Sequence, residues 1–150
     1  AGTFAQKGDF KLALQNIDDA ISKTAADKFK FQKAQIFQRM AKHEDAISIF
    51  TKLIDDGIQV RDVYSHRANS YMAIKQYNSA KADYEKLQAI YPDAPGIYLN
   101  FAQIAEANNQ PREALKNYVI YLKYVNPESV PAEELQRVQT RLKQLQGSNP

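Results

Sequence analysis

Apolar residues recur every three to four positions along almost the whole chain, the spacing that gathers them on one side of a helix. The two-residue alternation of a half-buried strand is missing. Short breakers punctuate the pattern at regular intervals: Gly8-Asp9, Lys42-His43, Asp56-Gly57, Gln76-Tyr77, Pro92-Asp93, Asn109-Gln110-Pro111 and Asn126-Pro127. Between them the pattern predicts helices near 1–6, 9–23, 27–41, 43–56, 60–74, 77–91, 94–108, 111–125 and 131–146. The expected fold class is all-α.

The helices repeat. Ala34, Ala68 and Ala102 stand 34 residues apart, as do Ala46, Ala80 and Ala114, and as do Phe50, Tyr84 and Tyr118. Small residues suit places where two helices of a pair come close. The aromatic four positions after the second alanine suits the space between neighbouring pairs. The period breaks up a run of tyrosines spaced at six or seven, Tyr64, Tyr71, Tyr77, Tyr84 and Tyr91. Tyr64, Tyr71 and Tyr84 fall in repeat columns and read as packing residues. Tyr77 and Tyr91 fall at turns and carry no repeat logic.

Three of these units resemble the tetratricopeptide repeat family, whose pattern is aromatic-x2-large-small-x2-aromatic, then Ala-x3-aromatic, then Pro. Tyr64-x2-Arg67-Ala68-x2-Tyr71, Ala80-x3-Tyr84 and Pro92 follow it, with Arg67 in place of a large apolar residue. Tyr98-x2-Phe101-Ala102-x2-Ala105 and Ala114-x3-Tyr118 follow it too, with Ala105 in place of an aromatic. Ala34-x2-Phe37 and Ala46-x3-Phe50 mark an earlier unit that departs at Lys30, Lys33 and Ile58. Gly8-Asp9-Phe10, Ala13, Ile17 and Ala20 fit the second half of a further unit, in which Ala1 and Phe4 belong to a first helix lacking its opening turns. The resemblance implies an α-solenoid of antiparallel helix pairs, wound as a right-handed superhelix. It gives one domain over 1–146: a truncated repeat at 1–26, repeats at 27–60, 61–94 and 95–128, and a capping helix at 131–146. Leu135, Val138, Leu142 and Leu145 make a single apolar stripe on that last helix, as a solenoid cap requires. Residues 147–150 are expected to be a disordered tail.

Composition narrows the function. Twenty basic and 17 acidic residues are interspersed, and the net charge of +3 is not gathered into a stripe, so nucleic acid is not the expected partner. No apolar run approaches the ~20 residues of a membrane helix, so membrane insertion is not expected. Without cysteine there is neither a disulfide framework nor a thiolate metal site. The compartment stays open among cytoplasm, periplasm and secretory lumen, with the cytoplasm slightly favoured. His43 and His66 lie on different helices, no glycine-rich phosphate loop is present, and Asp18-Asp19 and Asp55-Asp56 are adjacent pairs that face different ways on a helix. No catalytic residue, metal site or cofactor is expected, and the chain does not read as an enzyme.

The family resemblance implies that the first helix of each pair lines a concave face. Opposite the packed alanines, that face would carry Gln32, Gln35 and Arg39, then His66 and Asn69, then Asn100 and Gln103. Carboxamides offer donors and an acceptor together, so such a ladder could hold an extended peptide by its backbone. The same residues also suit an ordinary wet surface. Lys28, Arg39, Arg137 and Arg141 lie only towards the two ends, so the carboxylate clamp of the family's chaperone adaptors is not expected. The function expected is a scaffold or adaptor, part of a larger protein, that binds a peptide or helix of a protein partner. Two alternatives stand beside it: an RNA-binding helical repeat, and a structural segment that self-associates through its truncated first repeat.

Overall fold

A computed structural model of the chain describes the backbone of residues 3–58 and 61–147, and the side chains of residue 12 and from 14 onward within those spans. Every element among the described residues is helical. The chain forms two compact units, residues 1–59 and 60–150. The first unit holds α1 (Thr3–Arg39) and α2 (His43–Asp55). The second holds α3 (Arg61–Ala73), α4 (Tyr77–Ile90), α5 (Pro95–Ala107), α6 (Pro111–Tyr124) and α7 (Ala132–Gly147), each packed on the next. No described helix is long and apolar enough to cross a membrane.

From α2 onward the helix bounds follow the hydrophobic pattern within one or two residues. We propose the repeat boundaries 27–60, 61–94 and 95–128 from the sequence period; α3–α4 and α5–α6 lie within the last two. Gly147, assigned to the tail by its composition, is the last residue of α7; positions 148–150 lie outside the described residues.

The first unit departs from expectation. The turns predicted at Gly8-Asp9 and between 23 and 27 do not form, and α1 runs unbroken for 37 residues, about 55 Å at 1.5 Å per residue. The physical reason is the absence of a stop signal. Residues 9–39 contain neither glycine nor proline, and one glycine inside a helix costs only about 1 kcal/mol relative to alanine. Thr24 keeps its hydroxyl on the helix, donating from Oγ1 to the Ala20 carbonyl at 2.8 Å. The side chains of Ala1, Phe4, Phe10 and Ala13, on which the truncated repeat was read, lie outside the described residues.

The real turns share one construction. Ala41, Lys75 and Asn109 each take a left-handed conformation, with φ of 59°, 63° and 55°, and they stand 34 residues apart. In each turn the next residue donates back across the helix end: Lys42 to Phe37, Gln76 to Tyr71 and Gln110 to Ala105, at 2.8, 2.9 and 2.8 Å. The left-handed residue donates to Gln38, Met72 or Glu106 at 3.0–3.1 Å. This paired arrangement is the Schellman motif, which satisfies the last free carbonyls of a helix. Gly57, at φ 88°, closes α2 in the same way. Proline then starts the next helix at Pro95 and Pro111, where its missing N–H costs nothing.

The repeat columns form the core. All six column alanines are fully buried. Phe50, Tyr84 and Tyr118 are buried beside them, each within its own unit. Phe50 meets Phe31 edge-on at 5.7 Å in the first unit; Tyr84 meets Phe101 edge-on at 6.3 Å in the second. The cap helix buries Val138 and Leu145 from its predicted stripe.

Candidate partner-binding face

The seven candidate residues fall on both units. Gln32, Gln35 and Arg39 lie on α1, with Gln32 and Arg39 exposed and Gln35 half-buried. His66 and Asn69 lie on α3, and Asn100 and Gln103 on α5. Asn69 and Gln103 are exposed, His66 and Asn100 half-buried. On each helix the first of the pair stands two residues before, and the second one residue after, the buried alanine, Ala68 or Ala102.

Asn69 is not a loose surface amide. The Tyr84 hydroxyl, buried on α4, donates to its Oδ1 at 2.8 Å. That bond occupies one lone pair of the amide oxygen and leaves the N–H donors for solvent or a ligand. Burial, and after it the Asp83 charge, pushes the Tyr84 pKa above the tyrosine range, so this hydroxyl is held as a donor.

Gln103 belongs to a pocket of about 220 Å³ that it shares with Leu99 of α5, Tyr118 of α6, and Glu134, Arg137 and Arg141 of α7. The Glu106 carboxylate organises this end. One oxygen accepts from the Tyr118 hydroxyl and the other from Arg141 Nε. Burial first, then the bond to Glu106, raises the Tyr118 pKa. Arg141 is thereby neutralised. Among the described residues the Arg137 guanidinium has no hydrogen bond or ion pair, and neither has the Glu134 carboxylate. The pocket thus sets a carboxamide, an unpaired guanidinium and an unpaired carboxylate around an apolar wall.

Sequence reading placed Arg137 and Arg141 at the end of the chain's basic distribution and left them out of the candidate site. The missing signal was the position of α7, whose polar flank comes beside Gln103 only once the cap helix is docked on α6. A second omission lies in the core. Arg67, the departure from the repeat pattern, makes two bonds to Asp83, Nε to Oδ2 at 2.8 Å and Nη2 to Oδ1 at 2.6 Å. Its guanidinium sits 5.8 Å from the ring centres of both Tyr64 and Tyr71. The bond to Asp83 raises the Arg67 pKa further, against the opposing effect of burial. The signal was present in the sequence: one period later Arg67 and Asp83 become Phe101 and Asn117, both members changing together. Of the turn tyrosines, Tyr91 is 40% exposed. Arg61 covers its ring at 5.1 Å.

Comparison with known proteins agrees with the fold. Residues 62–94 match the model of the tetratricopeptide repeat family. Among solved structures the chain is similar to the Yersinia enterocolitica type III secretion chaperone SycD in complex with a peptide of the translocator YopD. That match has a TM-score of 0.73 at 18% identity and covers 82% of this chain and 94% of SycD. It is also similar to the first tetratricopeptide repeat domain of human RPAP3, with a TM-score of 0.61, 22% identity, and coverage of 81% of this chain and 96% of that one. The first such domain of Spaghetti (RPAP3), bound to an HSP90 peptide, gives 0.61 and 22%, covering 78% and 93%. No curated protein matches the sequence.

Proposed function

We propose, for a chain of the tetratricopeptide repeat family, that it is a protein-interaction module which acts by binding rather than by catalysis. Its ligand is an extended peptide or a helix of a protein partner, laid along α3, α5 and α7. The observation that carries this reading is the pocket shared by Gln103, Tyr118 and Arg137; Asn100 lies one turn before Gln103 on α5, and Asn69 is the Gln103 position one period earlier, on α3. Asn69, fixed by Tyr84, offers N–H donors to a backbone carbonyl. Gln103 offers both donor and acceptor. Fold likeness to SycD and to the RPAP3 domain, each solved with a peptide, supports the same use of the fold.

The test is affinity capture from native lysate with the chain and with an Asn69→Ala, Asn100→Ala, Gln103→Ala variant. The wild type should retain a protein that the folded variant loses. Equal capture would reject the groove, and RNA retained by the wild type at low salt would reject a protein ligand.

The first unit supports a second reading. Leu14, Ile17 and Ile21 are exposed on α1 at 54–63%, spaced three and four residues apart along one face. Asp18 and Asp19 precede Lys28 and Lys30 on the same helix, so an antiparallel copy would set acids against bases. We infer self-association through this stretch. Sedimentation should show a concentration-dependent dimer that Ile17→Glu abolishes, and a strict monomer at high concentration would reject it.

A further inference from the structure

A second pocket of about 260 Å³ lies between α4, α5 and α6 and contains none of the candidate face residues. Tyr98, Phe101, Ile104 and Ala105 of α5 form its apolar floor, and Asn117 of α6 lines it from a position 6% exposed. The Asn117 amide nitrogen donates to the Glu113 carbonyl at 2.9 Å and lies 3.5 Å from Glu113 Oε1. The amide oxygen has no protein donor among the described residues, and it is not sealed from solvent. The pocket therefore sets an aromatic and aliphatic floor beside the Asn117 acceptor, with Glu85, Gln88, Gln110 and Glu113 also in its lining.

The preceding repeat shows what belongs there. Counting back 34 residues, Ala105 becomes Tyr71, Phe101 becomes Arg67 and Asn117 becomes Asp83. In that repeat the Tyr71 ring and the Arg67 guanidinium lie together, and Arg67 satisfies Asp83. In the third repeat the ring has shrunk to a methyl group, and the acceptor has lost both its charge and its donor. The space left is that of an aromatic ring beside an unmet acceptor. An engineered apolar cavity of about 150 Å³ accepts benzene, so this one has room for a larger ring.

We propose that this pocket binds an aromatic side chain carrying its own donor, the indole of a tryptophan or the phenol of a tyrosine, from a partner polypeptide. The ring takes the place of the missing Tyr71 counterpart, and its N–H or O–H donates to Asn117 Oδ1. An aliphatic side chain would leave that oxygen unmet. A guanidinium would meet a rim where Lys81 and Lys116 cancel Glu85 and Glu113, with no buried carboxylate in the place of Asp83.

The protein contains no tryptophan, so fluorescence excited at the red edge of the indole band, where tyrosine does not absorb, reports the N-acetyl-tryptophanamide probe alone. Titration should give saturable binding, with amide NMR shifts at Ala105, Gln110 and Asn117 and none at Asn69 or Gln103. Ala105→Tyr, which restores the ring of the preceding repeat, should weaken binding at least tenfold. The Asn69→Ala, Asn100→Ala, Gln103→Ala variant should bind the probe normally, which separates this site from the groove. Absence of saturable shifts, shifts centred elsewhere, or equal binding of N-acetyl-leucinamide would overturn the proposal, as would tighter binding of N-acetyl-argininamide at the same residues. The shift map uses the wild-type chain and decides the matter even if Ala105→Tyr does not fold.

Discussion

The Tyr84 hydroxyl donates to Asn69 Oδ1 at 2.8 Å, so a core ring on α4 sets the direction of an exposed amide on α3. The ring and the hydroxyl have separable roles. Tyr84→Phe keeps the edge contact with Phe101 and removes one hydrogen bond, a loss of about 1 kcal/mol. Tyr84→Ala opens a cavity in the core and should cost about 3–5 kcal/mol. Tyr77→Ala, at the first residue of α4 and only half-buried, should change stability by less than about 1 kcal/mol. Urea denaturation of the three variants checks the order, and a Tyr77 effect larger than the Tyr84→Ala effect would refute it.

The Arg67–Asp83 pair is more exacting. Its side chains are 14% and 3% exposed, so either charge alone would be buried without compensation. Arg67→Met should therefore cost about 3–5 kcal/mol. The next repeat solves the same position with Phe101 and Asn117, so Arg67→Phe combined with Asp83→Asn should recover more than half of that loss. A double-mutant cycle by urea denaturation measures the coupling. Additive effects would mean that the pair does not act as a unit.

The turns predict a stabilising change. Lys75 holds φ at 63° without the freedom of glycine, and a left-handed conformation costs an ordinary residue roughly 1–2 kcal/mol. Lys75→Gly relieves that strain but gives the unfolded chain more freedom. A net gain of about 0.5–1 kcal/mol is expected, and Lys75→Val should be destabilising by more than about 1 kcal/mol. Thermal melts of the two variants should move in opposite directions.

Much of this architecture was legible in the sequence because it rests on spacing. Ala34, Ala68 and Ala102 identify one column, and close helix approach tolerates little else. Lys75 shows where legibility ends at the turns: its position follows the period, yet its left-handed backbone is visible only through the bonds that Lys75 and Gln76 make back to α3. The first unit misled the reading because Gly8-Asp9 is a turn motif whose strength depends on packing, and a local motif does not break a helix without a packed partner for the segment beyond it. At the candidate face, Asn69 and Gln103 follow from the register alone. Arg137 was missed because its place beside Gln103 depends on how α7 docks. Asn117 was missed because its significance is a comparison: it is what remains when Arg67 and Asp83 are both replaced.

Alkaline pH should unfold the second unit through its buried hydroxyls. Burial raises the pKa values of Tyr84, Tyr118 and Tyr121, with further upward contributions from Asp83, from the bond to Glu106 and from Glu134 respectively. In the unfolded chain each titrates near about 10. Above that pH the unfolded state releases protons that the folded state keeps. The stability these hydroxyls contribute is therefore complete below about pH 10 and is lost as the pH rises towards the folded values, by up to about 1.4 kcal/mol per pH unit for each tyrosine. Urea denaturation at pH 9, 10 and 11 should show a decline that steepens with pH. Tyr84→Phe should remove one tyrosine's share of the slope, because phenylalanine has no proton to lose. An unchanged slope in that variant would mean that Tyr84 titrates alike in both states and that burial does not hold its proton.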